Sequence, residues 1–130
     1  MKTLLKNLSF KEQDKQLTEL FSTKAEEIAK RLNNGIDKAD ISTTQFRKFY
    51  EKILELNEKA LGLEDDAFDI KIKPFVKMMN SKVQYSHTRG VAGDNFVALM
   101  EISIKKVNSK EELQNFKYFL ESIIGFMPKK

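Results

Sequence analysis

The chain has 130 residues, 41% hydrophobic and 32% charged, and its 23 Lys and Arg against 19 Asp and Glu give a net charge of +4. A chain of this length is expected to form one domain around one core, too apolar for a disordered segment and too charged to be embedded in lipid. With no cysteine and one histidine, disulfides and thiolate metal sites are excluded, and zinc centres and histidine-based triads lose most of their parts.

No apolar run approaches the ~18 residues of a membrane span. Met1 to Phe10 is interrupted by Lys2, Lys6 and Asn7 and does not form a signal-peptide core. These features predict a cytoplasmic protein away from membranes, with no cofactor and no metal. The mild positive charge permits an anionic partner without compelling one.

Two prolines and five glycines punctuate the chain, and apolar residues between them recur at helical spacing. The expected fold is an all-α, single-domain bundle of about five helices, with one or two N-terminal helices in residues 1–36 and the rest in 42–127. The first helix is expected from Ser9, capped with Glu12 reaching back, with a stripe of Leu17, Phe21, Ala25, Ile28 and Leu32 ending at Asn33-Asn34-Gly35. A second capping pair, Thr23 and Glu26, can split it. The second helix opens at Ser42 or Thr43, buries Phe46, Phe49, Tyr50, Ile53, Leu56 and Ala60, and stops near Gly62. Arg47, Lys48, Glu51, Lys52 and Glu55 then face outward.

The acidic run of Glu64, Asp65, Asp66 and Asp69 reads as a solvated loop without the spacing of a calcium loop. A third helix is expected around Pro74, burying Phe75, Val76, Met79 and Val83, its end bracketed by Gly90 and Gly93. A fourth from about Asp94 buries Val97, Met100, Ile104 and Val107. A fifth, capped by Ser109 and Glu112, carries Leu113, Phe116, Leu120, Ile123, Ile124 and Met127 up to Pro128. Leu4, Leu5, Leu8 and Phe10 can dock on the bundle or on a neighbour. Ile70-Lys71-Ile72 alternates like a strand, but three residues without a partner run make no sheet.

The basic charge is almost all lysine, yet two of the three arginines sit in short segments rich in cations and aromatics. Arginine's planar fork of donors suits phosphate oxygens and stacks on flat rings. On the third helix Lys82, Tyr85 and Arg89 fall at i, i+3 and i+7 with Ser86 beside them, presenting cations, a ring and a hydroxyl on one face. On the second, Thr43 and Thr44 stand at the positive N-terminal end, with Arg47 and Lys48 one turn later and Lys52 beyond. Cations neutralise phosphates and aromatic faces stack on bases, so the candidate RNA-binding residues are Arg47, Arg89, Lys82, Lys48, Tyr85, Thr43, Thr44 and Lys52.

Structural roles compete with this reading. Arg89 can complement a helix C-terminus, Thr43 can merely cap, Arg47 can pair with Glu51 at i+4, and Tyr85 can rim the core. His87 has no ligand or catalytic cluster around it, and no nucleophile, base and orienter can be assembled from the chain. The alternative function is a helical protein-binding module whose cationic edges meet acidic partner surfaces.

Three blocks between about residues 41 and 126 resemble the small, all-helical subunit of the type III-A CRISPR effector, the Csm complex. Ile41-Ser42-Thr43-Thr44-Gln45-Phe46-Arg47-Lys48 is similar to that family's Thr-Thr/Ser-x-hydrophobic-Arg helix start, and Lys82-Val83-Gln84-Tyr85-Ser86-His87-Thr88-Arg89 to its Lys-x-x-Tyr-x-x-x-Arg helix. Phe116-Lys117-Tyr118-Phe119-Leu120-Glu121-Ser122-Ile123-Ile124 resembles its closing helix. The sequence differs at His87-Thr88, where relatives often carry Ala-Gly, at Gly90 in place of a common acidic residue, and at Gly125-Phe126 in place of Ala-Tyr.

The resemblance implies a non-enzymatic subunit in antiviral defence. Such a subunit stacks with copies of itself and with other subunits of the complex, and holds guide RNA and target RNA through the backbone. Its implied RNA contacts are Arg47 and Arg89, with Lys82 and Lys48 as weaker ones.

Overall fold

The computed structural model describes residues 1–11, 15–33 and 40–127. Among these the secondary structure is helical: α1 (Leu17–Leu20), α2 (Thr23–Leu32), α3 (Thr43–Ala60), α4 (Asp65–Lys71), α5 (Lys73–Thr88), α6 (Asp94–Lys105) and α7 (Lys110–Phe126). The five of ten residues or more, α2, α3, α5, α6 and α7, cover the helices expected from periodicity. No helix among the described residues is long and apolar enough to cross a membrane.

α7 packs against both α2 and α3, α5 pairs with α6, α4 leans on α5, and α3 meets α5 along a shorter line. The amphipathic stripes merge into one core. Leu113, Phe116, Leu120, Ile123, Ile124 and Met127 are all buried as the α7 pattern predicts. Two ring clusters fill the centre. Phe10 meets Phe116 and Phe119 at centroid distances of 5.4 and 5.6 Å, and Phe96 meets Phe46 and Phe49 at 5.3 and 5.2 Å. Tilted and edge-on rings at these distances add to their area burial.

The chain start departs from expectation. No helix begins at Ser9, whose hydroxyl instead accepts from the Lys11 amide; its expected capping partner Glu12 lies outside the described residues. Phe10 is fully buried and its carbonyl takes the Asn115 side-chain amide at 2.7 Å, so tertiary packing overrides local capping. Leu5 and Leu8 are buried beside it, so the N-terminal segment docks on its own bundle. The expected split of the first helix occurs at Phe21 and Ser22, which makes Ser22 the N-cap and Thr23 the first helical residue. α2 ends at Asn33, and Asn34 and Gly35 lie outside the described residues.

The acidic run is the second correction. Asp65 and Asp66 form the first turn of α4, where carboxylates complement the positive helix end. Phe68 and Ile72 anchor the segment in the core, which a solvated loop would not do. Ile70-Lys71-Ile72 belongs to the end of this helix and its C-cap.

Phe75 was expected in the core and is 49% exposed. Helical rotation of about 100° per residue places Ile72, Val76, Met79 and Val83 on the inner face, all buried, and turns Phe75 outward with Met78, Lys82 and Tyr85. Tyr50 and Val97 are part-buried at the core's edge.

Caps at two starts follow the sequence. Ser42 Oγ accepts from the Gln45 amide and Ser109 Oγ from the Glu112 amide, each at 3.1 Å. Glu112 reaches back one residue further than a standard box, to the Asn108 amide at 3.0 Å.

A third helix start is capped from far along the chain. Asp40 accepts from the Asn95 and Phe96 amides at 3.3 and 2.6 Å, and its carbonyl accepts from the Gly93 amide at 2.7 Å. Asp40 thus ties the entry of α3 to the turn between α5 and α6. A Cβ on Gly93 would overlap the Asp40 carboxylate, so this close approach requires glycine.

Candidate nucleic-acid interface

Where α3 and α5 meet over a short line, they leave an open groove of about 400 Å³ lined by Gln45, Lys48, Phe49, Lys52, Met79, Lys82, Tyr85 and Ser86. Its origin lies in helix register. Residues 45, 48, 49 and 52 fall on one flank of α3 by i, i+3, i+4, i+7 spacing, and 79, 82, 85 and 86 share a flank of α5 by i, i+3, i+6, i+7 spacing. α3 contributes Phe49 on the inside and Lys48 and Lys52 outside, and α5 contributes Met79 on the inside and Lys82 outside. The result is an apolar floor between cationic walls.

Lys48 and Lys82 are exposed, and no ion pair joins either one to a carboxylate among the described residues. Lys52 approaches Glu55 at 3.5 Å, but Glu55 also holds Lys59 at 3.2 Å. The Lys59 hydrogen bond, followed by the charge of Lys52, holds the Glu55 carboxyl below its ordinary value. That shared carboxylate only partly offsets the positive wall.

Tyr85 is 62% exposed at the groove's lip, outside the core. The Arg89 guanidinium lies over its ring, 5.5 Å from the centroid, as the C-cap residue of α5. Gly90 follows with φ 75°, the left-handed conformation that ends many helices. His87 bonds through Nε2 to Asp94 Oδ1 at 2.8 Å, linking the end of α5 to the start of α6.

Arg47 does not line the groove. Helix rotation turns it about 100° from Lys48 toward the flank where the Tyr50 hydroxyl donates to Glu121 Oε2 at 2.9 Å. Its charge is felt there: burial and the Glu121 hydrogen bond push Tyr50 up to about 12, while Arg47 opposes the rise. Arg47 forms no ion pair with Glu51 among the described residues. Thr43 and Thr44 occupy the first turn of α3, with Ser42 as the cap.

The structure therefore gathers Lys48, Lys52, Lys82 and Tyr85 in one groove, keeps Arg89 against its lip through Tyr85, and sets Arg47 on a different flank of α3. Sequence reasoning missed Gln45, Phe49 and Met79 as groove residues. Phe49 and Met79 look like ordinary core positions, and only their neighbours at i+3 mark the side of each helix that opens. No group of three or more carboxylates or imidazoles able to hold a metal ion occurs among the described residues.

The family model described as Csm2 Type III-A matches residues 14–127, nearly the whole helical bundle. The chain belongs to this family. It is a small subunit of the Csm complex, the type III-A CRISPR effector, and assembles with other subunits of that complex. No curated protein and no solved structure shows significant similarity to it.

Proposed function

We propose that this Csm2-family subunit is a non-catalytic component that holds the guide and target RNA through the sugar-phosphate backbone, along the groove between α3 and α5. The observation that supports the reading is the convergence of Lys48, Lys52 and Lys82 from two helices on one open groove, with Lys48 and Lys82 lacking an ion-pair partner among the described residues. Like charges gathered in this way repel, and a polyanion supplied from outside relieves the repulsion while releasing its own counterions. Arg89 and Tyr85 extend the track past the end of α5. Thr43 and Thr44 extend it around the start of α3, whose first-turn amides carry the positive end of the dipole, while Arg47 on the other flank adds only its longer-range charge. Backbone contacts of this kind carry no base code, so sequence choice belongs to the guide.

Salt titration provides the test. Each phosphate neutralised on a single strand contributes about 0.7 to the slope of log K against log salt. Lys48→Ala and Lys82→Ala should each lower RNA affinity about 5-fold at 0.1 M relative to 1 M salt, for unrelated sequences alike, and flatten the slope by that amount. Arg47→Ala should do less. Unchanged affinity and slope in a folded Lys48→Ala, Lys82→Ala double variant would remove the reading.

A second reading draws on the exposed apolar residues Ile70, Phe75 and Met78, which are 74%, 49% and 51% exposed. Such surfaces suit subunit contacts, and we assign them to stacking with neighbouring subunits or copies of this chain. If the whole surface serves proteins alone, purified protein will show the absorbance ratio of bare protein and retain no single-stranded RNA at low salt.

A further inference from the structure

We propose that the α3/α5 groove seats an unpaired nucleobase of single-stranded RNA, with Tyr85 as its stacking platform. This rests on the RNA-binding reading above and specifies which part of the RNA enters the groove. The walls and floor differ in chemistry. Lys48, Lys52 and Lys82 serve phosphates, while Phe49 and Met79 lie buried beneath them and the exposed apolar surface at the groove is the Tyr85 ring, which offers a phosphate nothing. An exposed ring is stabilised when another weakly hydrated surface covers it. A nucleobase has such a surface on each face, and the phosphates on either side of it would meet lysines from both helices.

Size and exposure agree with this occupant. The groove's volume of about 400 Å³ falls in the range of roughly 300–1,000 Å³ typical of small-molecule sites, and Tyr85 at its lip is 62% exposed. Arg89, 5.5 Å from the Tyr85 centroid, lies over one face of the ring. The other face remains to be used. A paired base is covered on both faces by its stack, so only an unpaired or extruded base can offer one. Gln45 and Ser86 add an amide and a hydroxyl, each able to donate or accept, so they select for the presence of a base and not for its identity.

The whole chain is titrated with a labelled oligo(A) RNA of about ten nucleotides, within the usual site size of single-strand binders, and with an abasic ribose-phosphate strand of equal length and charge. The base-bearing strand should bind roughly 5- to 150-fold more tightly with the same salt slope. Tyr85→Ala, at an exposed position, should bring that ratio close to one and leave the slope unchanged. Equal affinity for the two strands would overturn the proposal while leaving backbone binding intact. Binding of neither strand at low salt would overturn both, and capture of a polyglutamate peptide in their place would assign the groove to an acidic protein segment.

Discussion

On the α7 flank of α3, Tyr50 gives its hydroxyl to Glu121, Glu121 also approaches Lys117 at 3.9 Å, and Lys117 lies 3.9 Å from the centroid of Tyr118. On the α5 flank of the same helix, Lys48 and Lys82 line a groove without an ion-pair partner among the described residues. Both flanks carry cations and a tyrosine, and they differ in whether the bundle itself satisfies them. Polar groups paired across an interface hold two helices in register; cations left together lower stability and keep a field available to a ligand. The first flank is held by the bundle itself, and the second is the surface proposed for RNA.

The largest separation between them should come from the core beneath the α7 flank. Phe116 is fully buried against Phe10, and Phe116→Ala should cost about 3–5 kcal/mol in urea unfolding. Alanine at Lys48 or Lys82 should move the same transition by less than about 0.5 kcal/mol. If the lysine variants unfold as early as the phenylalanine variant, the division of α3 into a structural and a binding flank fails.

The tie between α3 and the α5–α6 turn should come next. Asp40→Ala removes the acceptor of the Asn95 and Phe96 amides and should cost about 1–2 kcal/mol, as a lost helix cap does. Gly93→Ala should destabilise by forcing that carboxylate aside, and much less so once Asp40 is alanine. Additive losses in this double-variant cycle would show that the two residues do not meet.

Tyr50→Phe should cost about 1 kcal/mol at neutral pH, at the low end of the loss expected for the Asp40 cap. The sign of its pH dependence follows from the raised hydroxyl pKa. The folded state favours the protonated phenol, so the contribution is whole below the ordinary value of 10.0 and is lost as pH rises toward about 12. The stability difference between wild type and Tyr50→Phe, followed by circular dichroism, should therefore shrink between those values. A difference that stays constant through pH 12 would mean that Tyr50 and Glu121 are not bonded.

Much of this architecture was legible in the residues. The stripes of α3 and α7 and the caps at Ser42 and Ser109 are local features, set by side chains three and four positions apart, and the structure reproduces them. α4 escaped because its acidic surface resembles a loop, and only its placement against α5 shows that Phe68 and Ile72 are anchors. Ser9 was misread because Phe10 is held by α7, more than a hundred residues away in sequence, and Asp40 is invisible for the same reason. At the candidate site the cation-rich edges were visible as helix faces. Which faces open on a common groove depends on how α3 crosses α5, so the sequence could name Lys48, Lys82 and Tyr85 but could not tell that Arg47 turns away from them.

The central claim, that RNA lies along the α3/α5 groove, is tested most directly by photocrosslinking a 4-thiouridine-bearing RNA to the intact subunit and mapping the modified peptides by mass spectrometry. The account predicts adducts concentrated in the stretches of α3 and α5 that hold Lys48, Phe49 and Tyr85. Adducts concentrated instead on the α7 flank around Tyr118 would contradict it.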